Sequence, residues 1–218
     1  KPRATIILLG DEIVLEGLPH DALVRDALGP QLPGWLHRLG VEVIATQYVS
    51  DELQLVTKAF ADAAKNSDII FTTGGTADGP RDHVHAAIAA LKGELIIDRV
   101  KVRPGHPMLL AHINKTPLVG LPGNPQSAIV ALLTLGHPVI DALLGRKEAE
   151  LHQIVTGDDI DVPEGFTRLV LGNVVDGWFE MGEYLGSAML RGLAHSTGFA
   201  VADKSMEEGE MVAWLPLP

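Results

Sequence analysis

Apolar residues fall into two spacings along the first two-thirds of this 218-residue chain, and the two spacings alternate. Thr5-Ile6-Ile7-Leu8-Leu9 is a short continuous apolar run closed by Gly10, the pattern of a strand buried on both faces. Leu32, Trp35, Leu36 and Leu39 recur at helical spacing and stop at Gly40, a residue suited to ending a helix. Val41 to Ala45 reads as a second strand. Asp51 follows as an N-cap, and Leu55, Val56, Ala59, Phe60 and Ala63 form the apolar stripe of the helix it opens. Asp68 to Thr72 is a third strand running into Gly74-Gly75, and Val84, Ala87, Ile88 and Leu91 mark another helix. This alternation predicts an α/β unit, a mostly parallel sheet with helices on both faces.

The pattern changes near Arg146. Before it, Pro125 suits the first turn of a long helix through Leu144, kinked at Pro138. After it, Arg168 to Leu171, Trp178 to Met181, Phe199 to Ala202 and Met211 to Leu215 are short apolar segments separated by Gly and Asp. They read as strands of a small C-terminal β-barrel-like domain, with one helix within Leu185 to Ala194. The expected division is residues 1–146 for the α/β domain and 147–218 for the β domain.

Charge narrows the partners. With 17 Lys plus Arg against 28 Asp plus Glu the formal charge is −11, and protonating all nine histidines would leave it negative. A surface built to neutralise nucleic-acid phosphates needs a basic stripe, so no nucleic-acid partner is expected. An anionic ligand must be held by a local cluster of cations. Cysteine is absent, which excludes disulfides, thiolate nucleophiles and cysteine-ligated metals and is compatible with a cytoplasmic location. No signal segment is visible. The longest uncharged apolar stretch, Ala128 to Ile140, reads as a buried helix too short to span a bilayer, so no membrane association is expected. The first residue is Lys1, which implies processing or a longer parent chain.

Three stretches carry candidate chemistry. Thr72-Thr73-Gly74-Gly75-Thr76-Ala77-Asp78-Gly79-Pro80-Arg81-Asp82 takes a strand into a glycine-rich loop, with a helix expected from about Asp82. Such loops let the backbone approach a ligand, and free N–H groups at a helix start favour an anion. The loop also sits at the carboxyl end of a parallel strand, where open α/β sheets bind ligands. A plain turn capped by Asp82 satisfies the same spacing. In Arg99-Val100-Lys101-Val102-Arg103-Pro104-Gly105-His106-Pro107, alternation puts the valines on one side and three cations on the other. That row is either a solvated edge strand or an oxyanion site. Gly120-Leu121-Pro122-Gly123-Asn124-Pro125-Gln126-Ser127 is again strand, rigid loop and helix start, a preorganised anion cradle. His83 and His85, two residues apart, do not face each other on a helix, so zinc is not expected there. No serine sits in a nucleophile elbow.

In this order, these stretches resemble the molybdopterin-binding fold, and more closely the molybdopterin molybdotransferases of the MoeA and gephyrin E-domain type. Gly10-Asp11-Glu12 matches that family's Gly-Asp-Glu after its first strand, and Gly186-Ser187-Ala188-Met189-Leu190 through Ala194 resembles a segment of its C-terminal β domain. The likeness covers nearly the whole chain but not the family's first two domains. It implies insertion of molybdenum from molybdate into adenylated molybdopterin with release of AMP, in a homodimer whose partner subunit supplies a lid. It also implies Glu12 and Asp82 as catalytic acids, magnesium on Asp11, Glu12 and Asp82, and substrate contacts from Thr73, Gly74, Gly75, Thr76, Gly79, Arg81, Lys101, Pro122, Gly123, Asn124 and Ser127. Arg103 matches the first basic residue of the family's Lys-Pro-Gly-Lys-Pro, and His106 stands at its second lysine.

The sequence departs from that pattern in three places. Thr73-Gly74-Gly75-Thr76 with Arg81-Asp82 is nearer the related adenylyltransferase domains of the MogA type. His106 is titratable near neutral pH where a lysine stays charged, and Leu28 stands where the family has an asparagine. Two further readings follow, molybdopterin adenylyl transfer and a non-catalytic molybdopterin-binding module.

Overall fold

The computed structural model describes residues 1–76, 82–147, 150–183, 186, 188 and 190–218. The chain opens with β1 (Arg3–Leu9), the two-residue strands β2 (Ile13–Val14) and β3 (Val24–Arg25), α1 (Leu32–Leu39), β4 (Glu42–Val49), α2 (Leu53–Asn66), β5 (Ile69–Thr73) and α3 (Val84–Ala90). It continues through β6 (Glu94–Asp98), β7 (Val102–Arg103), β8 (Leu109–Ile113) and β9 (Thr116–Leu121). Next come α4 (Pro125–Ala131), a π-helical turn at Leu132–Gly136 and α5 (His137–Leu144). The last third holds β10 (His152–Thr156), β11 (Thr167–Val175), β12 (Trp178–Met181), α6 (Arg191–Ala194), β13 (Gly198–Ala202) and β14 (Met211–Pro216).

The first sheet runs β4-β1-β5-β9-β8-β6. Its first four strands are parallel, and β9, β8 and β6 pair antiparallel. Alternation along β1 decides the layers, because successive side chains leave opposite faces. Ala4, Ile6 and Leu8 join the core formed with Leu32, Leu36, Ile129 and Leu132. Ile7 and Leu9 join the core formed with Val56, Phe60, Val84 and Ile88. Helices therefore cover both faces, as the apolar run of β1 predicts.

The second sheet closes on itself: β11, β12, β10, β14 and β13 form a five-stranded barrel around Phe179, Trp214, Val170 and Met206. β7, from the first half of the chain, adds to β11 in parallel through Val102↔Thr167 and Arg103↔Arg168. The expected boundary at residue 146 falls between α5 and β10, and this pairing crosses it.

Several local readings are corrected. Glu52, not Asp51, occupies the N-cap of α2, and Leu55 is 43% exposed while Val56, Ala59, Phe60 and Ala63 are buried. α3 starts at Val84, after an N-cap at His83 rather than Asp82. The row from Arg99 to Arg103 is not a continuous strand, because Arg99 turns at φ +64° and only Val102 and Arg103 pair. Of the Leu185 to Ala194 segment, Arg191–Ala194 is helical, and Leu185 lies outside the described residues. The helical segment Pro125–Leu144 spans 20 residues, long and apolar enough by composition to cross a membrane. Here Ala128 to Leu133 are buried in the protein core instead.

Candidate functional site

β1, β5 and β9 are parallel neighbours, so their carboxyl ends lie along one edge of the sheet. From that edge leave the three loops that begin at Gly10, Gly74 and Pro122. The second and third loops touch. Gly74 N–H donates to Leu121 O at 3.0 Å, and a Cβ on Gly123 would lie 3.8 Å from Gly74 Cα. Gly74 and Gly75 adopt φ +75° and +63°, left-handed values that side-chain-bearing residues rarely take.

These loops wall a cavity of about 570 Å³. Thr73, Gly74, Gly75 and Thr76 line it with Pro122, Gly123 and Asn124, and Glu12 and Asp82 join them. Gly79 and Arg81 lie outside the described residues. Ile13, Val24, Leu28, Pro107 and Leu190 add to the wall apolar surface suited to a flat ring.

A second cleft of about 460 Å³ adjoins it, and Pro107 and Asn124 line both. Arg103, His106 and Ser127 are on its wall, facing Arg168 from barrel strand β11. Phe166 organises this side: the Arg103 guanidinium lies 4.9 Å above its ring, and the His106 ring meets it edge-on at 5.5 Å. His106 Nδ1 donates to Val100 O at 2.6 Å, which fixes that nitrogen as the protonated one, because a carbonyl only accepts. Lys101 is exposed and lines neither cavity.

The acidic residues do not assemble as the resemblance implies. Asp11 lines neither cavity and is turned to Asp51; each residue's backbone N–H donates to the other's carboxylate at 3.2 Å. Glu12 folds its carboxylate over Gly10, so close that a Cβ there would lie 2.9 Å from both oxygens. Among the described residues no group of three or more His, Asp or Glu side chains is placed to hold a metal ion. The carboxylates present therefore do not fit a magnesium site on Asp11, Glu12 and Asp82.

Burial raises the Asp51 carboxyl above its ordinary range, and the charges of Asp11 and Glu12 add to the effect. The Asp11 N–H and His83 act in the opposite direction.

Sequence reading missed five polar or charged wall residues. Asp26 lines the first cavity, held by Leu28 N–H and Gly29 N–H at 3.0 Å and by Tyr48 O–H at 2.7 Å. Burial and this carboxylate push Tyr48 up to about 12, so it remains a donor. Arg25 also lines the first cavity, and Gln126, Asp161 and Arg168 line the second. Arg168 was legible only as the start of a strand, since nothing in its local pattern points to β7.

A parallel-stranded α/β unit with a two-part cavity at its strand ends, one wall supplied by a barrel, is the class of protein these features define. The chain belongs to the family described as "Probable molybdopterin binding domain", which matches residues 5–142. Among similar proteins, the molybdopterin molybdenumtransferase of Nostoc sp. (strain PCC 7120) is 28% identical over 233 residues, covering 100% of this chain and 53% of its own length. That of Staphylococcus aureus (strain COL) is 25% identical over 173 residues, covering 78% of this chain and 41% of its own length. The chain thus spans about half the length of the relatives it matches. The molybdopterin biosynthesis MoeA protein of Pyrococcus horikoshii superposes with a TM-score of 0.83 at 21% identity, over 100% of this chain and 55% of that one. A MogA structure superposes at 0.51 and 22% identity, over 65% of this chain and 99% of its own.

Proposed function

We propose that this protein acts in molybdenum cofactor biosynthesis as a molybdotransferase-type protein, holding adenylated molybdopterin in the first cavity and molybdate in the second cleft. The observation that carries the reading is the adjacency of the two spaces across Asn124 and Pro107. Backbone N–H groups of Gly75 and Thr76 and the N-terminus of α4 suit phosphate oxygens. The apolar wall suits the pterin ring, while Arg103 and Arg168 attract an oxyanion and His106 adds charge when protonated. In this reading Asp82 and Glu12 move protons at the phosphate end of the cavity. Two copies associate as a homodimer in the cytoplasm; Leu18 at 89% exposure and Ile44 and Tyr48 on edge strand β4 leave apolar surface for that contact, which light scattering reads.

Adding molybdate to the protein with adenylated molybdopterin should release AMP. The adenylyltransferase alternative rests on the Thr73-Gly74-Gly75-Thr76 loop and predicts pyrophosphate release from ATP and molybdopterin. What favours molybdenum transfer is that the barrel lends Arg168 to the cleft. Pyrophosphate release without AMP release would reverse the choice. Ligand binding with neither product would leave a binding module.

A further inference from the structure

Two buried side-chain polar atoms among the described residues have no hydrogen-bond partner, Thr72 Oγ1 and Gln126 Nε2. Thr72 lies within β5 and lines neither cavity. Gln126 stands in the first turn of α4, is 2% exposed and forms part of the wall of the second cleft. A donor buried without an acceptor loses its water and gains nothing in return, and an apolar side chain of similar shape would avoid that loss. An acceptor entering the cleft would supply what the donor lacks.

The surroundings define that acceptor. Arg103 and Arg168 carry donors only, Ser127 offers a hydroxyl, and the Nδ1 of His106 is already committed to Val100 O. Arg168 spends one N–H on Asp161 O and keeps the rest of its fork. Asp161 also stands on this wall, its carboxylate accepting from Ser205 Oγ at 3.3 Å, and the two guanidiniums outweigh its single charge, so the set suits a compact, acceptor-rich anion. We propose that Gln126 is a binding residue of this cleft, its Nε2 donating to a tetrahedral oxyanion held between Arg103 and Arg168. The proposal rests on the oxyanion reading of the cleft given above and adds a neutral donor whose direction is set by the helix.

The test uses calorimetry and thermal melting on the whole chain, with molybdate and AMP as probes, so that a free oxyanion is distinguished from a phosphate monoester. Gln126→Leu should weaken binding of one probe at least ten-fold while leaving Tm unchanged or raised, because it removes a donor that the ligand-free protein does not satisfy. Gln126→Met, closer in length, serves if the leucine variant fails to fold. Arg103→Ala is the companion. If it loses affinity and the Gln126 variants bind like wild type, the cleft reading stands and Gln126 is a packing residue. If the wild-type protein binds neither probe, or none of the variants changes affinity, both readings fall.

Discussion

Asp51 shows what a single residue carries beyond its pattern. Its position ahead of an apolar stripe makes it look like a helix cap, but Glu52 takes that place and Asp51 is engaged by Asp11 across the loop that follows β1. Burial and two neighbouring carboxylates raise its carboxyl. A group raised on folding contributes stability below its ordinary value of 3.8 and loses that contribution as pH rises through the folded value. At neutral pH the ionised side chain is therefore a burden. Asp51→Asn keeps an oxygen for the Asp11 N–H and should raise Tm at neutral pH, with the gain shrinking as acid protonates the wild-type residue. Melting curves of both proteins across the acid range would show it; a gain of constant size at every pH would mean that ionisation is not the cause.

At the scale of elements, periodicity located what it could see. The buried runs of β1 and β5 and the stripes of α1 and α2 were legible because each buries a defined face. β6 and β8 were not: β6 is a largely exposed edge strand, and its pairing is settled by β8 across the sheet rather than by its own pattern. The helix from Pro125 was legible, but its winding was not. Pro138 has no N–H to offer, and the chain widens to a π turn over Leu132–Gly136 just before it. The loops are sharper. Gly74 needs φ +75°, and a Cβ there would lie 2.9 Å from Leu9 O, whereas Gly123 has nothing nearer than 3.8 Å. Gly74→Ala should cost about 1–3 kcal/mol of stability and weaken pterin binding with it. Gly123→Ala should fold normally. Denaturant midpoints of the two variants decide this; equal midpoints would show that the loop tolerates a side chain at both positions.

For the whole molecule, the relation of barrel to sheet was the part least open to sequence reading. A composition change near Arg146 invites two domains, and separate domains joined through a modest interface ordinarily move and unfold apart. Here the core crosses the division. Along β11, Leu169 and Leu171 pack with Val102, Met108 and the helices of the first sheet, while Val170 points into the barrel. Phe199 and Leu193 join the same shared core, and β7 completes a backbone ladder between the two halves. A strand whose two faces belong to two cores cannot lose one without exposing the other. Unfolding should then be a single transition, with the fluorescence of Trp35 in α1 and of Trp178 and Trp214 in the barrel changing together with far-ultraviolet circular dichroism. Truncation after Arg146 should uncover Val102 and Met108 and give a protein that aggregates. Two resolved transitions, or a stable fragment 1–146, would establish the barrel as an independent unit. Arg168 would then reach the cleft only when the two units are docked.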